Sequence, residues 1–294
     1  MNNASKTFCI GVDGSEVAHL AFQTALRLRK KEDNMDVFHI SDRNKTYLPY
    51  DLEPDHIQDA YETLLVANVP ADHRVVRVEE KKEGQSTKGA ACEYVNGSDP
   101  KPDFLFVGCA GRKGPKEDPT ILGTTADYSL RAAHCSSVIC KRLADGFATR
   151  PLPAAGGGSR PNATFLVCVD ESPNSEKAYD EAVRLAHDDG DKVVVLHVFD
   201  DERDDGTETT AEEVQAKYQG KGATDVQLVA KVGGKPLGVH ICEYAWDQDM
   251  DFVVIGADGM TAYRNGRGQL GSVSDYVVKN AKCNVVVTEI LTGN

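Results

Sequence analysis

The stretch Thr7–Glu16, TFCIGVDGSE, decides the fold of this chain, because it recurs as Thr164–Pro173, TFLVCVDESP. Each copy is a short apolar run that ends at an aspartate, followed two residues later by a serine. Short apolar runs are typical of buried parallel strands, and serine is a preferred residue at the start of a helix. The recurrence therefore predicts two copies of one unit that begins with a strand and a helix.

The two halves match again near their ends. DFLFVGCAG from Asp103 corresponds to DFVVIGADG from Asp251, and LGTTADYSLRAAHCSSVI from Leu122 corresponds to LGSVSDYVVKNAKCNVVV from Leu270. Chance does not align so many residue types in one order, so the chain is predicted to be an internal duplication.

Proline and glycine crowd the middle of the chain, where neither a helix nor a sheet can continue. We therefore expect a first domain over 1–148, a linker over 149–161 and a second domain over 162–294.

Apolar strand-like runs alternate with helix-like stretches in each half. Helices are expected over Val17–Lys30 and Glu176–His187, with Ser15 and Ser172 as N-caps and Pro173 in a first turn. Alternation of this kind predicts two tandem doubly wound α/β domains, each with a five-stranded, mostly parallel sheet covered on both faces.

Composition narrows the classes of partner. The 294 residues carry a formal net charge of −13, which disfavours nucleic acid and anionic membranes. The eight cysteines form no C-x-x-C pair, so reduced thiols are expected rather than disulfides or a zinc site. The N-terminus lacks the apolar core of a signal peptide, and no apolar run has the length of a membrane span. These features predict a cytoplasmic protein with no nucleic-acid or membrane partner.

Two features fall at the carboxyl ends of predicted strands, where open α/β sheets bind ligands. The first is the aspartate that closes the first strand of each half, Asp13 or Asp170. The second is a glycine loop with the pattern G-x-x-G, eleven residues, then G-[ST], over Gly108–Thr124 and Gly256–Ser272. If the first and fourth strands are neighbours, the aspartate faces the loop.

Glycines allow a backbone to approach a phosphate closely, and the free N–H groups at a helix start attract an anion. Thr124 and Ser272 are expected to cap that helix. The second loop adds Arg264 and Arg267, whereas the first mixes cations with acidic residues, so the second half is expected to be the cleaner phosphate site.

These motifs resemble the universal stress protein family, in a tandem form that covers nearly the whole chain. The VDxS start, the HI or HV end of the second strand, the G-x-x-G loop, the G-[ST] pair and the A-x-C before the last strand all match. The resemblance implies a Rossmann-like fold of the adenine nucleotide alpha hydrolase type and binding of ATP. Both loops are two residues longer than in ATP-binding members, which bears on phosphate geometry.

The resemblance also implies a residue set in each half, with backbone groups at the adenine, an aspartate at the ribose and glycines along the phosphates. Mg²⁺ could bridge those phosphates. The implied nucleotide-binding residues are Val12, Asp13, Ile40, Gly108, Gly111, Arg112, Gly123, Thr124 and Thr125, and in the second half Val169, Asp170, Val198, Gly256, Gly259, Met260, Gly271, Ser272 and Val273.

Several of these residues have a purely structural interpretation. Asp13 and Asp170 could instead brace the turn from strand to helix. His39 and His197 lie in apolar strands and are interpreted as core histidines with a satisfied hydrogen bond. Asp258, inside the second loop, would repel a phosphate if it pointed inward.

Three functions are consistent with the sequence. The first is nucleotide-responsive binding in the stress response. The second is an interaction module that binds no nucleotide, and the third is a slow ATP hydrolase, for which no clear general base or nucleophilic triad is visible. Family members usually dimerise through their last strands, so Val138–Lys141 is expected near Val285–Glu289 within the chain, and whole chains could form a homodimer.

Overall fold

The computed structural model describes residues 5–46, 52–114, 116–118, 120–141, 147–149, 162–188, 190–199, 211–259 and 270–290. The chain divides into two compact units, Met1–Thr149 and Arg150–Asn294. The linker expected over 149–161 falls almost entirely outside the described residues, so its bounds stay a prediction.

In the first unit, strands and helices alternate as the sequence predicts. The elements are β1 (Thr7–Gly11), α1 (Glu16–Leu28), β2 (Asn34–Ser41), α2 (Pro54–Asn68), β3 (Arg74–Glu80), α3 (Thr87–Gly97), β4 (Phe104–Gly108), α4 (Thr124–Ala132) and β5 (Ser136–Cys140).

The second unit repeats this sequence of elements. They are β6 (Thr164–Cys168), α5 (Pro173–Leu185), β7 (Lys192–Phe199), α6 (Ala211–Gly220), β8 (Asp225–Ala230), α7 (Leu237–Asp247), β9 (Phe252–Ile255), α8 (Ser272–Asn280) and β10 (Asn284–Val287).

Each unit has the strand order of a doubly wound sheet. The first unit is ordered β3-β2-β1-β4-β5, and the second is ordered β8-β7-β6-β9-β10. The described strand pairs within each unit are parallel. The predicted doubly wound α/β fold is confirmed.

The central strands are apolar on both faces because helices cover both sides of a parallel sheet. Phe8 and Ile10 on β1 are fully buried, and the ring of Phe8 meets that of Phe104 edge to face at 5.7 Å. In the second unit Phe165 stacks on Phe252 at 4.8 Å. These contacts fix the strands whose carboxyl ends carry the aspartates and the glycine loops.

Both helices that follow the first strands have the serine N-caps that the sequence predicts, although α1 begins one residue and α5 three residues before the expected bounds. Ser15 caps α1 by accepting a hydrogen bond from Ala18 N at 3.3 Å. Ser172 caps α5 by accepting one from Ser175 N at 3.1 Å, and Pro173 occupies the first turn. The helices end two residues before the expected bounds, because the residues that follow Leu28 and Leu185 have extended backbone.

Candidate functional site

The strand order reverses between β1 and β4 in the first unit and between β6 and β9 in the second. From β1 the chain moves outward through β2 to β3, then returns to place β4 on the other side of β1. A crevice opens at the carboxyl ends of strands at such a reversal. The expectation that the first and fourth strands are neighbours is therefore confirmed, and it brings each aspartate to its glycine loop.

Asp13 uses both carboxylate oxygens in the first crevice. Oδ1 accepts hydrogen bonds from Ser15 N at 3.0 Å and Ser15 Oγ at 2.6 Å, which braces the turn into α1. Oδ2 accepts one from Arg112 N at 3.1 Å. The bracing interpretation is thus realised by one oxygen, while the other faces the glycine loop.

The glycines of the first loop sit where a side chain would collide. A Cβ on Gly108 would stand 2.9 Å from the backbone of Val17, and a Cβ on Gly111 would stand 3.0 Å from Asp13 Oδ2. A Cβ on Gly123 would stand 3.2 Å from the Cα of Ala110. The loop therefore closes tightly on the start of α1 and on the start of α4.

The start of α4 corrects one sequence-based expectation. Gly123, not Thr124, is the N-cap residue, and no side chain caps the helix. Gly271 holds the same position before α8, so Ser272 is the first helical residue. Glycine takes the cap position because the loop folds back through a hydrogen bond from Gly123 N to Cys109 O at 2.7 Å. The first N–H groups of each helix have no intrahelical acceptor, so they are available to an anion.

Arg112 lies across the first crevice. Its Nε donates to Asp13 O at 2.5 Å, and its Nη2 lies 3.4 Å from His39 Nε2. Burial lowers the pKa of His39, and the hydrogen bond between His39 Nδ1 and Val12 O at 2.7 Å partly offsets this. A neutral ring that donates through Nδ1 leaves Nε2 to accept from the guanidinium. The guanidinium therefore stands at the mouth of the crevice.

The two predicted adenine-side valines already use their backbone groups. Val12 N donates to Phe38 O at 2.9 Å, and Val169 N donates to Leu196 O at 3.0 Å. Each valine carbonyl is bonded to a histidine, as Val169 O is to His197 Nδ1 at 3.0 Å. One lone pair of each carbonyl remains for a ligand.

Both histidines have the satisfied hydrogen bond that the sequence predicts, but only His39 lies in the core, whereas His197 is half-buried. The other predicted adenine-side residues, Ile40 and Val198, lie on β2 and β7 beyond the last pair that each strand makes with its central neighbour. They therefore form part of the crevice edge.

The second crevice repeats the aspartate contacts. Asp170 Oδ1 accepts from Ser172 N at 3.1 Å and from Ser172 Oγ at 2.6 Å. A Cβ on Gly259 would stand 2.7 Å from Asp170 Oδ2, and a Cβ on Gly271 would stand 3.3 Å from the Cα of Asp258.

Part of the predicted second site cannot be placed. Met260 and the loop arginines Arg264 and Arg267 lie outside the described residues. The predicted residues Thr125 and Val273 lie in the first turns of α4 and α8, next to the bare N–H groups.

Asp258 does not point into the crevice as a free charge. It is 4% exposed, and Asn174 Nδ2 donates a hydrogen bond to its Oδ1. Burial raises the pKa of Asp258, and the charge of Asp170 raises it further, against the Asn174 hydrogen bond. The expected repulsion of phosphate by Asp258 is therefore reduced by burial and by its amide partner.

The family model that describes the universal stress protein family matches residues 4–141 and 162–289, one match in each unit. The chain belongs to the universal stress protein family. A Staphylococcus saprophyticus protein that carries the family name is 28% identical over 138 residues, which is 42% of this chain and 81% of that protein. A Staphylococcus haemolyticus relative is 26% identical over 138 residues, or 42% of this chain and 82% of its own length.

Solved universal stress proteins share the fold of the whole chain. A structure from Archaeoglobus fulgidus has 17% identity and a TM-score of 0.62, with 98% of this chain and 97% of that chain covered. One from Pseudomonas aeruginosa has 14% identity and a TM-score of 0.62, with 98% and 94% covered. At these identities the likeness shows the fold alone.

Sequence reasoning missed two residue pairs at this universal stress protein site. Tyr61 and Tyr218, equivalent residues of α2 and α6, lie close enough for the crevice aspartates to act on them. Burial chiefly raises the pKa of each hydroxyl; Asp13 adds to this for Tyr61, and Glu176 and then Asp170 add to it for Tyr218. Their recurrence in the two halves was a usable signal.

The second missed pair is Asn174 with Asp258. Its signal was a coordinated change between the halves, since Val17 and Ala110 hold these positions in the first half.

Within the described ranges, no cluster of histidine, cysteine, aspartate and glutamate has the makeup of a metal site. None of the helices described has the length and apolarity that a membrane span needs.

Proposed function

We propose that this universal stress protein binds an adenine nucleotide, ATP, in the crevice of one or both domains. It would act in the cytoplasmic stress response by nucleotide-dependent binding. The observation that carries the proposal is the meeting, at each strand-order reversal, of an aspartate, a glycine loop in close contact with it, and a helix start that no side chain caps.

The phosphate end of this crevice suits an anion. The N–H groups of the first turn of α4 or α8 have no intrahelical acceptor, and the N-cap is a glycine, so a phosphate can come close to the main chain. Arg112 adds a guanidinium to the first crevice, and guanidinium groups bind phosphate through paired hydrogen bonds. These local groups would hold the phosphates against the net charge of −13.

The nucleoside end offers acceptors. Val12 O and Val169 O each keep a lone pair, and Ile40 and Val198 provide apolar side chains near them. Asp13 Oδ2 and Asp170 Oδ2 face their loops and could accept from a ribose hydroxyl. When bound, Mg²⁺ would neutralise phosphate charge, and it usually relies on phosphate oxygens with one or two carboxylates.

The second candidate is an interaction module that binds no nucleotide. The observation in its favour is Arg112, which in the free protein holds the first loop to Asp13 and His39 through its side chain and backbone. A nucleotide would have to displace the side-chain contacts. Slow hydrolysis of ATP is a third candidate, for which Asp13 and Asp170 are the proposed bases.

Assembly is proposed on the family pattern. Pairing of the two domains through Val138–Lys141 and Val285–Glu289, and a homodimer of whole chains, are both proposals that solution scattering and cross-linking would test.

One experiment separates the three candidate functions. The protein is purified, denatured, and the small molecules released are identified by chromatography, alongside thermal unfolding with and without MgATP. Released ATP, or a rise in melting temperature with MgATP, supports nucleotide binding. ADP with continuous phosphate release supports hydrolysis. The absence of both a released ligand and a thermal shift supports the interaction module.

A further inference from the structure

One difference between the two crevices lies at the start of the first helix and in the glycine loop. In the first unit a Cβ on Gly108 would meet the backbone and side chain of Val17 at 2.9 Å, and in the second a Cβ on Gly256 would meet Asn174 Cβ at 2.9 Å. Beside the glycine, Ala110 in the first loop corresponds to Asp258 in the second. An apolar pair in one half is therefore a polar pair in the other.

The polar pair is almost completely withdrawn from solvent. Asn174 is 0% exposed and Asp258 is 4% exposed. Asn174 Nδ2 donates to Asp258 Oδ1, but Asn174 Oδ1 has no donor among the described residues. A buried amide oxygen without a donor costs about 1–3 kcal/mol. A carboxylate cannot supply that donor, whereas a carboxylic acid can.

The surroundings of Asp258 favour the neutral acid. Asp170, from the turn between β6 and α5, raises its pKa, as does burial, which is the larger effect. From α8, Ser274 Oγ donates to Gly256 O at 2.7 Å, and after β10, Thr288 Oγ1 accepts from Ala257 N at 3.1 Å, so these hydrogen bonds join the main chain and neither neutral hydroxyl brings a positive charge to Asp258. Among the described residues of the unit, the charge that acts on this carboxyl is that of Asp170.

We propose that Asp258 carries a proton when the second crevice holds a nucleotide, its hydroxyl donating to Asn174 Oδ1, so that binding there takes up a proton. This inference rests on the proposed function. The proton comes from solvent, and no covalent bond other than the O–H bond forms. The first crevice, with Val17 and Ala110, has no counterpart of this group.

The proton has a direct effect on an anionic ligand. A Cβ on Gly271, at the start of α8, would stand 3.3 Å from the Cα of Asp258, so the phosphates proposed to bind at that helix start would come close to this residue. An ionised Asp258 would repel them, whereas the acid presents no net charge. Nucleotide affinity at the second site is therefore expected to fall as the pH rises.

The test is calorimetric titration of the full chain with MgATP, repeated in buffers of different ionisation enthalpy. To isolate the second site, Gly123→Val is present throughout. Wild-type Asp258 is compared with Asp258→Asn, which keeps the shape but cannot ionise. It is also compared with the double variant Asn174→Val, Asp258→Ala, which installs the pair of the first half and covers the case that Asp258→Asn folds poorly.

We expect that nucleotide binding takes up a proton when Asp258 is present and that both variants lose this uptake. As the pH rises, the affinity of the protein with Asp258 should fall relative to that of Asp258→Asn by up to roughly tenfold per pH unit, the limit for one linked proton. The titration of ATP itself is common to all proteins and cancels in the comparison. Equal proton uptake with and without Asp258 would overturn the inference and leave nucleotide binding standing. If neither the variants nor the wild-type protein gave a heat of binding, both this inference and the proposed nucleotide binding would be overturned.

Discussion

The backbone N–H of Arg112 donates to Oδ2 of Asp13 at 3.1 Å, and so joins the glycine loop after β4 to the end of β1. Asp13 thereby serves two elements at once, since its other oxygen braces the turn into α1 through Ser15. A residue at this junction affects both the stability of the unit and the shape of the crevice.

Replacing Asp13 tests that double role. Asp13→Ala removes three accepted hydrogen bonds and is expected to destabilise the first unit by about 2 kcal/mol, at about 1 kcal/mol or less for each bond. Asp13→Asn keeps one acceptor oxygen and should destabilise less. Both should weaken nucleotide binding at the first site, measured by titration with MgATP alongside urea unfolding. Unchanged binding in Asp13→Asn would leave Asp13 with the bracing role alone.

Gly271→Val is expected to abolish nucleotide binding in the second half with little loss of fold. The added side chain would press on Asp258 and Ala257, closing the approach to the start of α8. Gly233→Val is the matched control, because a Cβ at Gly233 meets nothing within 4 Å. Binding is followed with MgATP in a Gly123→Val background and folding by circular dichroism. Retained binding would show that the loop assignment is wrong.

Arg112→Met places in the first loop the residue that the sequence has at the matching position of the second. Loss of the guanidinium is expected to weaken MgATP binding at the first site about tenfold, equivalent to about 1.4 kcal/mol, near the low end for a charged hydrogen bond. The loss should shrink at high salt, which screens an exposed charge. Measuring affinity at two salt concentrations checks both points. Tighter binding in the variant would instead mean that Arg112 obstructs the crevice.

A buried ion pair is expected to make the first unit sensitive to one carboxylate. Lys6 Nζ lies 2.9 Å from Asp33 Oδ2, with side chains 4% and 2% exposed. Asp33→Asn leaves the lysine charge buried and should destabilise the first unit by about 3–5 kcal/mol. Asp191→Asn is the control, since Asp191 accepts from the backbone of Ala163, which replaces the lysine in the second half. Urea unfolding compares the two, and equal losses would contradict the prediction.

Asp258 is also expected to make the stability of the free protein depend on pH. Its pKa is raised in the folded state. The stability that the protonated Asp258 contributes is therefore fully present below the pKa of the residue in the unfolded chain, and it is lost as the pH rises through the pKa in the folded protein. Asp258→Asn cannot ionise and should therefore gain stability over the wild type as the pH is raised. Thermal unfolding across that range checks the sign, and a gap that narrows with rising pH would contradict it.

The fold was predictable because its signals are local. Apolar runs, Ser15 and Pro173 each act within a few residues, and the duplication shows every signal twice. The site was less predictable because it depends on pairs distant in the chain. Asn174 and Asp258 are 84 residues apart, and only the folded sheet brings them together. The capping role of Gly123 was missed because it depends on a return of the loop to Cys109.

Gly14 and Glu171 hold the same place in the two halves, and both have a left-handed backbone, with φ of 80° and 65°. Glutamate has no preference for this conformation, which costs a residue with a side chain roughly 1–2 kcal/mol. The bend therefore does not come from the residue at its centre; the aspartate before it and the serine after it, joined by their hydrogen bonds, impose the path. The second half therefore tolerates a side chain at this bend, whereas the first half needs glycine there, because a Cβ on Gly14 would stand 2.6 Å from Leu52 Cδ2.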